Sequence, residues 1–388
     1  MTAFGPPAAS VVAQLEGNTD LGLVVATLDE GRSDVHAYGA AFTGDSRLEI
    51  GSVTKTFTAT LFADMILRHE VRADDPIERY LPPDIKAPAF AGRSITLADL
   101  ATQRSGLPRL PGSYYEYSNL GFGLLGELLA RRLGTDYATA IRSRILKPLG
   151  MLHTDLGTAG RSMTTVGGHD GDGDSVPNWN FAALAGAGSL VSTPNDMLRY
   201  LRANLDTSHG PLGAAMALAQ RPLVPADGDR RIGYAWMTNP DGVVWHNGGT
   251  AGFRTFAGFD PAHRRAIFVI ANASIDAVDA LGMHALKETV PLPPAPEPGF
   301  AVDRATLATY VGRYAFADGS TGVVTADGRG LSVVFDKPAF RARLHPVAAE
   351  TFVIRAVPIR FRFVAEGTGM TLEVQQPGQA LETGTRRR

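Results

Sequence analysis

Residues 21–27 (LGLVVAT) and 35–42 (VHAYGAAF) are apolar stretches separated by the polar turn Asp29-Glu30-Gly31, and they predict a strand pair. Val53, Phe57, Leu61, Phe62 and Met65 then recur at helical spacing, which predicts a helix over roughly 53–69, buried on a broad face. The stretch 74–113 is rich in Pro and Asp and reads as irregular, apart from a short helix at Leu97–Ala101. Further helices are expected from about Leu120 to Leu133 and from about Tyr137 to Ile145, the second closed by Pro148. Residues 157–181 form a long Gly/Asp-rich loop, a length that marks function or disorder in a compact domain. Ser192-Thr193-Pro194-Asn195-Asp196 is a helix start, with a Thr cap, Pro at the first position and an acid at the third. The segment 231–272 alternates like an antiparallel meander: IGYAWMT, VVWHN, FRTFAGF and, after the turn at Asp260-Pro261, AIFVIAN.

Residues 291–298 (PLPPAPEP) hold five prolines and mark a semi-rigid linker. Beyond it, short alternating strands (GVVTA, LSVVF, TFVIRA, RFRFVAE, MTLEVQQ) separated by Gly and Asp turns predict a small all-β domain over 301–388. The three final arginines, Arg386 to Arg388, read as a frayed tail. No internal repeat is visible.

A chain of 388 residues exceeds one ordinary core and suggests two or three domains. The net charge of −2 gives no electrostatic case for nucleic acid. With no cysteine, disulfides, thiolate catalysis and Cys-ligated zinc are all excluded. No apolar run reaches the roughly 18 residues of a membrane span. The first residues show no basic region followed by an apolar one, so a cytoplasmic protein is expected.

Candidate chemistry begins at Ser52-Val53-Thr54-Lys55. A serine at the first turn of a helix and a lysine one turn later share a face, which brings a primary amine within reach of the hydroxyl. The helix N-terminus adds partial positive charge where an oxyanion forms, and a serine needs such a base to become a nucleophile. With 17 Ser and 5 Lys in the chain, about 0.2 chance matches to Ser-x-x-Lys are expected. The bland reading is a surface lysine near a helix cap. Tyr117-Ser118-Asn119 is the only Tyr-x-Asn. A phenol relays a proton once nearby cations lower its pKa from about 10, and Asn119 is expected to donate to a substrate carbonyl or to Lys55. A plain helix cap at Ser118 or Asn119 is compatible with both roles. His246-Asn247-Gly248-Gly249 ends a strand, and its glycines let a substrate approach the backbone, with the Gly249 and Ser52 N–H groups as an oxyanion hole. His169-Asp170-Gly171 matches the same pattern but lacks the strand context.

In this order the three elements resemble those of the serine β-lactamase and penicillin-binding-protein-like superfamily. The likeness spans roughly residues 20–285 and includes EIGSVTKTFTA, LATQRSGLP, YSNLGFGLLG, RILKPLGM and LAGAGSLVSTPNDM. Class C β-lactamases, D-alanyl-D-alanine carboxypeptidases, D-amino-acid peptidases and esterases with a β-lactamase fold are its nearest types. The resemblance implies an α/β fold of the α+β type: an antiparallel sheet flanked by helices, with an all-helical lobe, over residues 1–290. A linker (291–300) and a small all-β barrel (301–388) follow, and LATYVGRY from Leu307 resembles the opening of an appended lipocalin-like domain. It also implies Ser52 as nucleophile, Lys55 and Tyr117 jointly as bases, Gly249 as an oxyanion donor, and Asn119, His246 and Gly248 as substrate contacts. No metal or organic cofactor is needed, and the partner is a small ester, amide or peptide.

Two departures shift the expected chemistry. His246 stands where these enzymes usually carry Lys, and imidazole holds a carboxylate less well, which favours esters or amides over β-lactams and carboxypeptides. The interval from Gly106-Leu107-Pro108 to Tyr117 is short, so the cleft is expected to be open. An acyltransferase using the same acyl-enzyme, or a non-catalytic peptide- or lactam-binding protein, are the alternatives. Gly121-x-Gly123-x-x-Gly126 fits a dinucleotide pattern literally but follows a cap rather than a strand, so helix packing is the better reading. Asp170, Asp172 and Asp174 resemble the start of a calcium loop, yet Phe181 occupies the twelfth position. No HExxH and no GxSxG occur.

Overall fold

The structure is a computed structural model and describes residues 20–39, 42–90, 92–107, 114–157, 164–181, 184–287, 289–292, 297–354, 359–367, 369–376 and 378–387. Pro108, much of the Pro-rich linker and the first residues of the chain lie outside it. The chain divides into two compact units, residues 1–170 with 175–293, and residues 171–174 with 294–388.

In the first unit, β1 (Leu23–Asp29) and β2 (Arg32–Tyr38) form a hairpin. Its turn is tight because Glu30 and Gly31 both take positive φ, 48° and 85°. Helices α1 (Thr54–Leu67), α2 (Asn119–Arg132), α3 (Pro194–Leu205) and α4 (Gly210–Gln220) follow. Then come β3 (Val244–Gly249), β4 (Arg254–Asp260), β5 (Arg265–Ala271) and α5 (Ala277–Leu286). With three two-residue strands at one edge, they make an antiparallel eight-stranded sheet. Its order is Val224–Pro225, Arg231–Ile232, Met237–Thr238, β3, β4, β5, β1, β2. The predicted meander and hairpin thus join through β5 and β1, which pair from Leu23↔Ala271 to Asp29↔Arg265.

Apolar side chains leave this sheet on both faces, so both are covered. Leu23, Val25, Phe256, Ile267 and Val269 pack with Val278 and Leu281 of α5. Val24, Ala26, Phe259, Phe268 and Ile270 belong to the larger core with α1, α3 and α4. Such two-sided burial explains why β5 reads as a nearly unbroken apolar run rather than an alternating one.

Helix α1 is enclosed on all sides, with 12 of its 14 residues buried. Its sequence suits that place. Threonine hydroxyls turn back onto carbonyls, Thr56 to Val53 at 2.8 Å and Thr60 to Thr56 at 2.9 Å, which satisfies them without water. The α-helix begins at Thr54, one residue after the expected start. Gly51–Val53 form a single tighter turn that holds Ser52, and Gly51 takes φ 50°. The Gly/Asp-rich stretch also contains more order than expected: Gly168–His169 pairs with Ser175–Val176.

Glycines 123 and 126 serve packing, as the sequence suggested. A Cβ on Gly126 would stand 3.0 Å from the Gly186 Cα, and one on Gly123 would stand 2.4 Å from the Leu184 side chain. The segment Ala185–Gly188 therefore lies directly on α2.

The second unit is a closed barrel of eight strands, from Gly312–Phe316 to Glu382–Arg387, filled by Tyr310, Tyr314, Phe352 and Phe363. The last strand corrects the expected frayed tail. Arg386 and Arg387 pair with Tyr314 and Arg313 across the closure, and Arg386 Nη1 donates to Thr309 O at 2.7 Å. The edge of the first strand supplies backbone partners there, so a terminal run of charges is ordered as β-strand. Arg388 lies outside the described residues. Asp172 and Asp174, of the calcium-like loop, belong to this unit: Asp174 pairs with Arg329 and Arg343, and Asp172 Oδ1 lies 2.8 Å from His345 Nε2.

Candidate active site

Ser52 Oγ is the meeting point of two groups. Lys55 Nζ lies 2.9 Å from it and Tyr117 Oη 2.6 Å from it. Lys55 reaches this position from inside the core, with no exposed surface. Its amine also donates to Asn119 Oδ1 at 2.7 Å and to Ala187 O at 2.6 Å. The close approach of Ala185–Gly188 to the glycines of α2 is what brings that carbonyl in. Burial holds the Lys55 amine well below its usual pKa, because the ammonium form loses its hydration.

Tyr117 is held from both sides along the backbone. Glu116 N–H donates to Gln103 O at 2.7 Å and Ser118 N–H to Gln103 Oε1 at 2.7 Å. Ser118 caps α2 by accepting from Gly121 N–H at 2.9 Å, which leaves Asn119 as the first helical residue, next to Lys55. The ring of Tyr117 is 43% exposed, while its hydroxyl turns inward onto Ser52. Here the structure corrects the expected direction of its titration. Desolvation of the hydroxyl pushes the phenol up to about 12, with Ser52 and Arg254 only partly opposing it. The expected effect of nearby cations is weak because Lys55 is itself driven toward its neutral form.

His246 lies on the face of β3 turned toward the larger core, its ring centroid 6.5 Å from that of Tyr117. It is buried, and Nδ1 stands 2.5 Å from Asn247 O. A carbonyl only accepts, so Nδ1 carries the proton and Nε2 remains an acceptor. Burial pushes the imidazole down to about 3. The alternative at His169 is elsewhere. Its backbone N–H donates to Asn272 O at 2.9 Å, just past the end of β5.

Glycine at 248 is a steric requirement. A Cβ there would stand 2.3 Å from Ile50 O and 2.3 Å from Thr255 Oγ1, and 3.1 Å from Ser52 N. A Cβ on Gly51 would meet Gly249 N at 2.8 Å. The turn carrying Ser52 and the end of β3 therefore touch backbone to backbone, which brings the Ser52 and Gly249 amides to neighbouring positions.

Three features of the site had no signal in the linear pattern. Gln103 stands inside LATQRSGLP, but its clamp on Tyr117 depends on a fold-back of 13 to 15 residues. Ala187 contributes only a carbonyl, which no residue type announces. Arg254 lies opposite Gly249 across the β3–β4 ladder and is gripped by Asp279 at 2.6 Å and Asp276 at 3.3 Å. Asp279 also accepts from Asn247 Nδ2 at 2.5 Å. Desolvation raises the Asp279 carboxyl, against the pull of Arg254. Nearby, Glu49 accepts from Trp179 N–H at 2.9 Å, and its carboxyl is raised by burial.

A cleft of about 580 Å³, lined among others by Trp245, Phe256, Asp279 and Met283, opens on the α5 side of the sheet. Trp245 and Phe256 alternate away from His246 and Ala257, so this cleft lies on the sheet face that also carries Arg254, opposite the face of His246. Among the described residues no helix is long and apolar enough to cross a membrane.

Comparison with known proteins places this geometry in context. The family model described as Beta-lactamase matches residues 9–288, and one described as a domain of unknown function (DUF3471) matches residues 298–385. The D-alanyl-D-alanine-carboxypeptidase/endopeptidase AmpH of Escherichia coli (strain K12) is 26% identical over 317 residues, 66% of this chain and 81% of that protein. A β-lactamase of Pseudomonas fluorescens is 26% identical over 331 residues, 68% of this chain and 92% of that protein. Among solved structures, the D-alanine carboxypeptidase AmpC from Burkholderia cenocepacia aligns with a TM-score of 0.64 and 25% identity, covering 73% of this chain and 97% of that one. The octameric penicillin-binding protein homologue from Pyrococcus abyssi has a TM-score of 0.67 at 19% identity, covering 99% of this chain and 100% of that one, a likeness of fold alone.

Proposed function

The chain belongs to the beta-lactamase family, and on that premise we propose that it is a serine hydrolase that cleaves a small ester or amide through an acyl-enzyme on Ser52. The observation that carries the reading is the convergence of Lys55 Nζ and Tyr117 Oη on one hydroxyl, at 2.9 and 2.6 Å.

The hydrogen-bond inventory supports a division of labour. Ala187 O and Asn119 Oδ1 accept only, so they take two hydrogens of the Lys55 amine. The remaining direction faces Ser52 Oγ. In the neutral amine favoured by burial this is the lone pair, and the serine hydroxyl donates into it. Lys55 is then the base that takes the Ser52 proton as Oγ attacks the carbonyl carbon. The oxyanion forms beside the Ser52 and Gly249 N–H groups. Tyr117, protonated at neutral pH, gives its proton to the leaving group as the tetrahedral species collapses, and the Lys55 ammonium reprotonates it, since the acylated Oγ has no proton to relay. Water then attacks the acyl-enzyme, its proton passing to Tyr117 as Tyr117 yields its own to Lys55, and Lys55 protonates Ser52 Oγ as it leaves.

The neutral His246 imidazole supports esters and amides over substrates that need a fixed cation at the end of β3. A panel of p-nitrophenyl esters, nitrocefin and D-amino-acid peptides, on wild type and Ser52→Ala, tests the reading. Short-chain esters are expected to turn over fastest, with no turnover in the variant. An unmodified Ser52 after a fluorophosphonate, read by intact-mass spectrometry, together with no ester turnover, would overturn it in favour of a binding protein.

A further inference from the structure

Building on that reading, we infer that Asp279, by occupying Arg254, makes the subsite beside Gly249 select against substrates that carry a carboxylate there. Arg254 sits directly across the ladder from Gly249, and its Nη1 is 3.4 Å from where a side chain on Gly249 would begin. With glycine at 249 the guanidinium borders the end of β3, where the proposed oxyanion donor lies. An arginine in that place is the natural receiver of an anionic group, through paired charge-assisted hydrogen bonds.

The receiver is already taken. Asp279 Oδ1 and Oδ2 accept from Arg254 Nε at 3.2 Å and Nη2 at 2.6 Å, and Asp276 Oδ1 is 3.3 Å from Nη2. Asn247, on the same face of β3, donates to Asp279 and holds the carboxylate in place. One cation thus stands against two carboxylates, and Arg254 is only 24% exposed. A substrate carboxylate brought to Nη1 would join two like charges around one guanidinium in a partly desolvated site, where repulsion is weakly screened. A neutral ester or amide group meets no such repulsion and is free to accept from Nη1. Asp279 is a specificity-determining residue in this account and takes no part in bond making.

Two matched substrate pairs test it. One places a carboxylate or its methyl ester on the acyl side (p-nitrophenyl hydrogen glutarate and p-nitrophenyl methyl glutarate). The other places it on the leaving group (S-acetyl thioglycolate and S-acetyl thioglycolamide). In wild type the neutral member is expected to be favoured in kcat/KM by about tenfold in at least one pair, the worth of roughly one charge-assisted hydrogen bond. Asp279→Asn is expected to shrink that preference by a similar factor, through a gain on the acid, whereas Arg254→Gln is expected to give no such gain. The ratio within one protein cancels any loss of folded enzyme, so a purely structural role of Asp279 leaves it unmoved. Equal use of both members of both pairs by wild type, or unchanged ratios in Asp279→Asn, overturns the inference. Fluorophosphonate labelling of wild type separates the two levels: an unlabelled Ser52 removes the hydrolase reading, while a labelled one with equal ratios removes only this selectivity.

Discussion

Asn119 Oδ1 accepts from Lys55 Nζ at 2.7 Å, so the first residue of one helix sets the direction of a buried amine on another. An amide at this position orients the amine without adding charge. A carboxylate there would favour the ammonium form and raise the Lys55 pKa. Asn119→Asp is expected to lower kcat/KM at neutral pH by about 10²-fold and to move the acid limb of the pH–rate profile upward. A limb that stays in place would show that Lys55 is not the titrating base.

Lys55 weakens the fold where it supports chemistry. Its folded pKa lies below the unfolded value, so the unfolded chain binds more protons and stability rises with pH on the alkaline side. Lys55→Met removes that proton. Denaturant midpoints are expected to show wild type gaining on the variant as pH rises toward about 10, the unfolded lysine value. The variant is expected to lose about 10³-fold or more in kcat/KM. Parallel stability curves would contradict a depressed amine.

His246 is expected to stay neutral throughout the working range, since its folded value is about 3. His246→Gln is therefore expected to leave the position of the pH–rate limbs unchanged while altering KM. The unfolded imidazole titrates near 6.5, so wild-type stability is expected to fall as pH drops from about 6.5 toward about 3, and the glutamine variant to fall less steeply. Imidazole proton shifts that titrate near 6.5 in the folded protein would refute the burial argument.

Gly248→Ala is expected to force β3 away from the turn that carries Ser52, because its Cβ would stand 2.3 Å from Ile50 O. The cost is expected at about 1–3 kcal/mol, with a larger fractional loss of kcat/KM than of folded protein. Gly167→Ala, where nothing lies within 4 Å of the added carbon, serves as the comparison, and thermal melts with ester turnover read both.

Local chemistry made much of the molecule readable in advance. Apolar spacing from Val53 to Met65, the Thr193 cap with Pro194, and the apolar runs between Val244 and Ala271 are short-range patterns that became the expected helix, helix start and strands. IGYAWMT instead broke into two two-residue strands, Arg231–Ile232 and Met237–Thr238, around Ala235 at φ 65°. The Ser52–Lys55 contact is one helical turn and needs nothing but a helix. Tyr117 and Asn119 were legible as a rare motif, but Tyr117 meets Ser52 across 65 positions and Asn119 meets Lys55 across 64, and those distances came from packing.

What the chain could not announce was environment. The same tyrosine beside cations in water would titrate low, yet desolvation at the cleft raises it. Arg386 and Arg387 look like a solvated tail until a strand edge waits for them. Asp279 and Arg254 are 25 residues apart and ordinary in isolation, and only sheet register and α5 bring them together. Sequence by itself determined the main helices, the long strands and the candidate reactive groups, because these depend on neighbours along the chain. Tertiary structure decided protonation, clamping and charge pairing, because these depend on which atoms exclude water and which groups from distant segments fill the space.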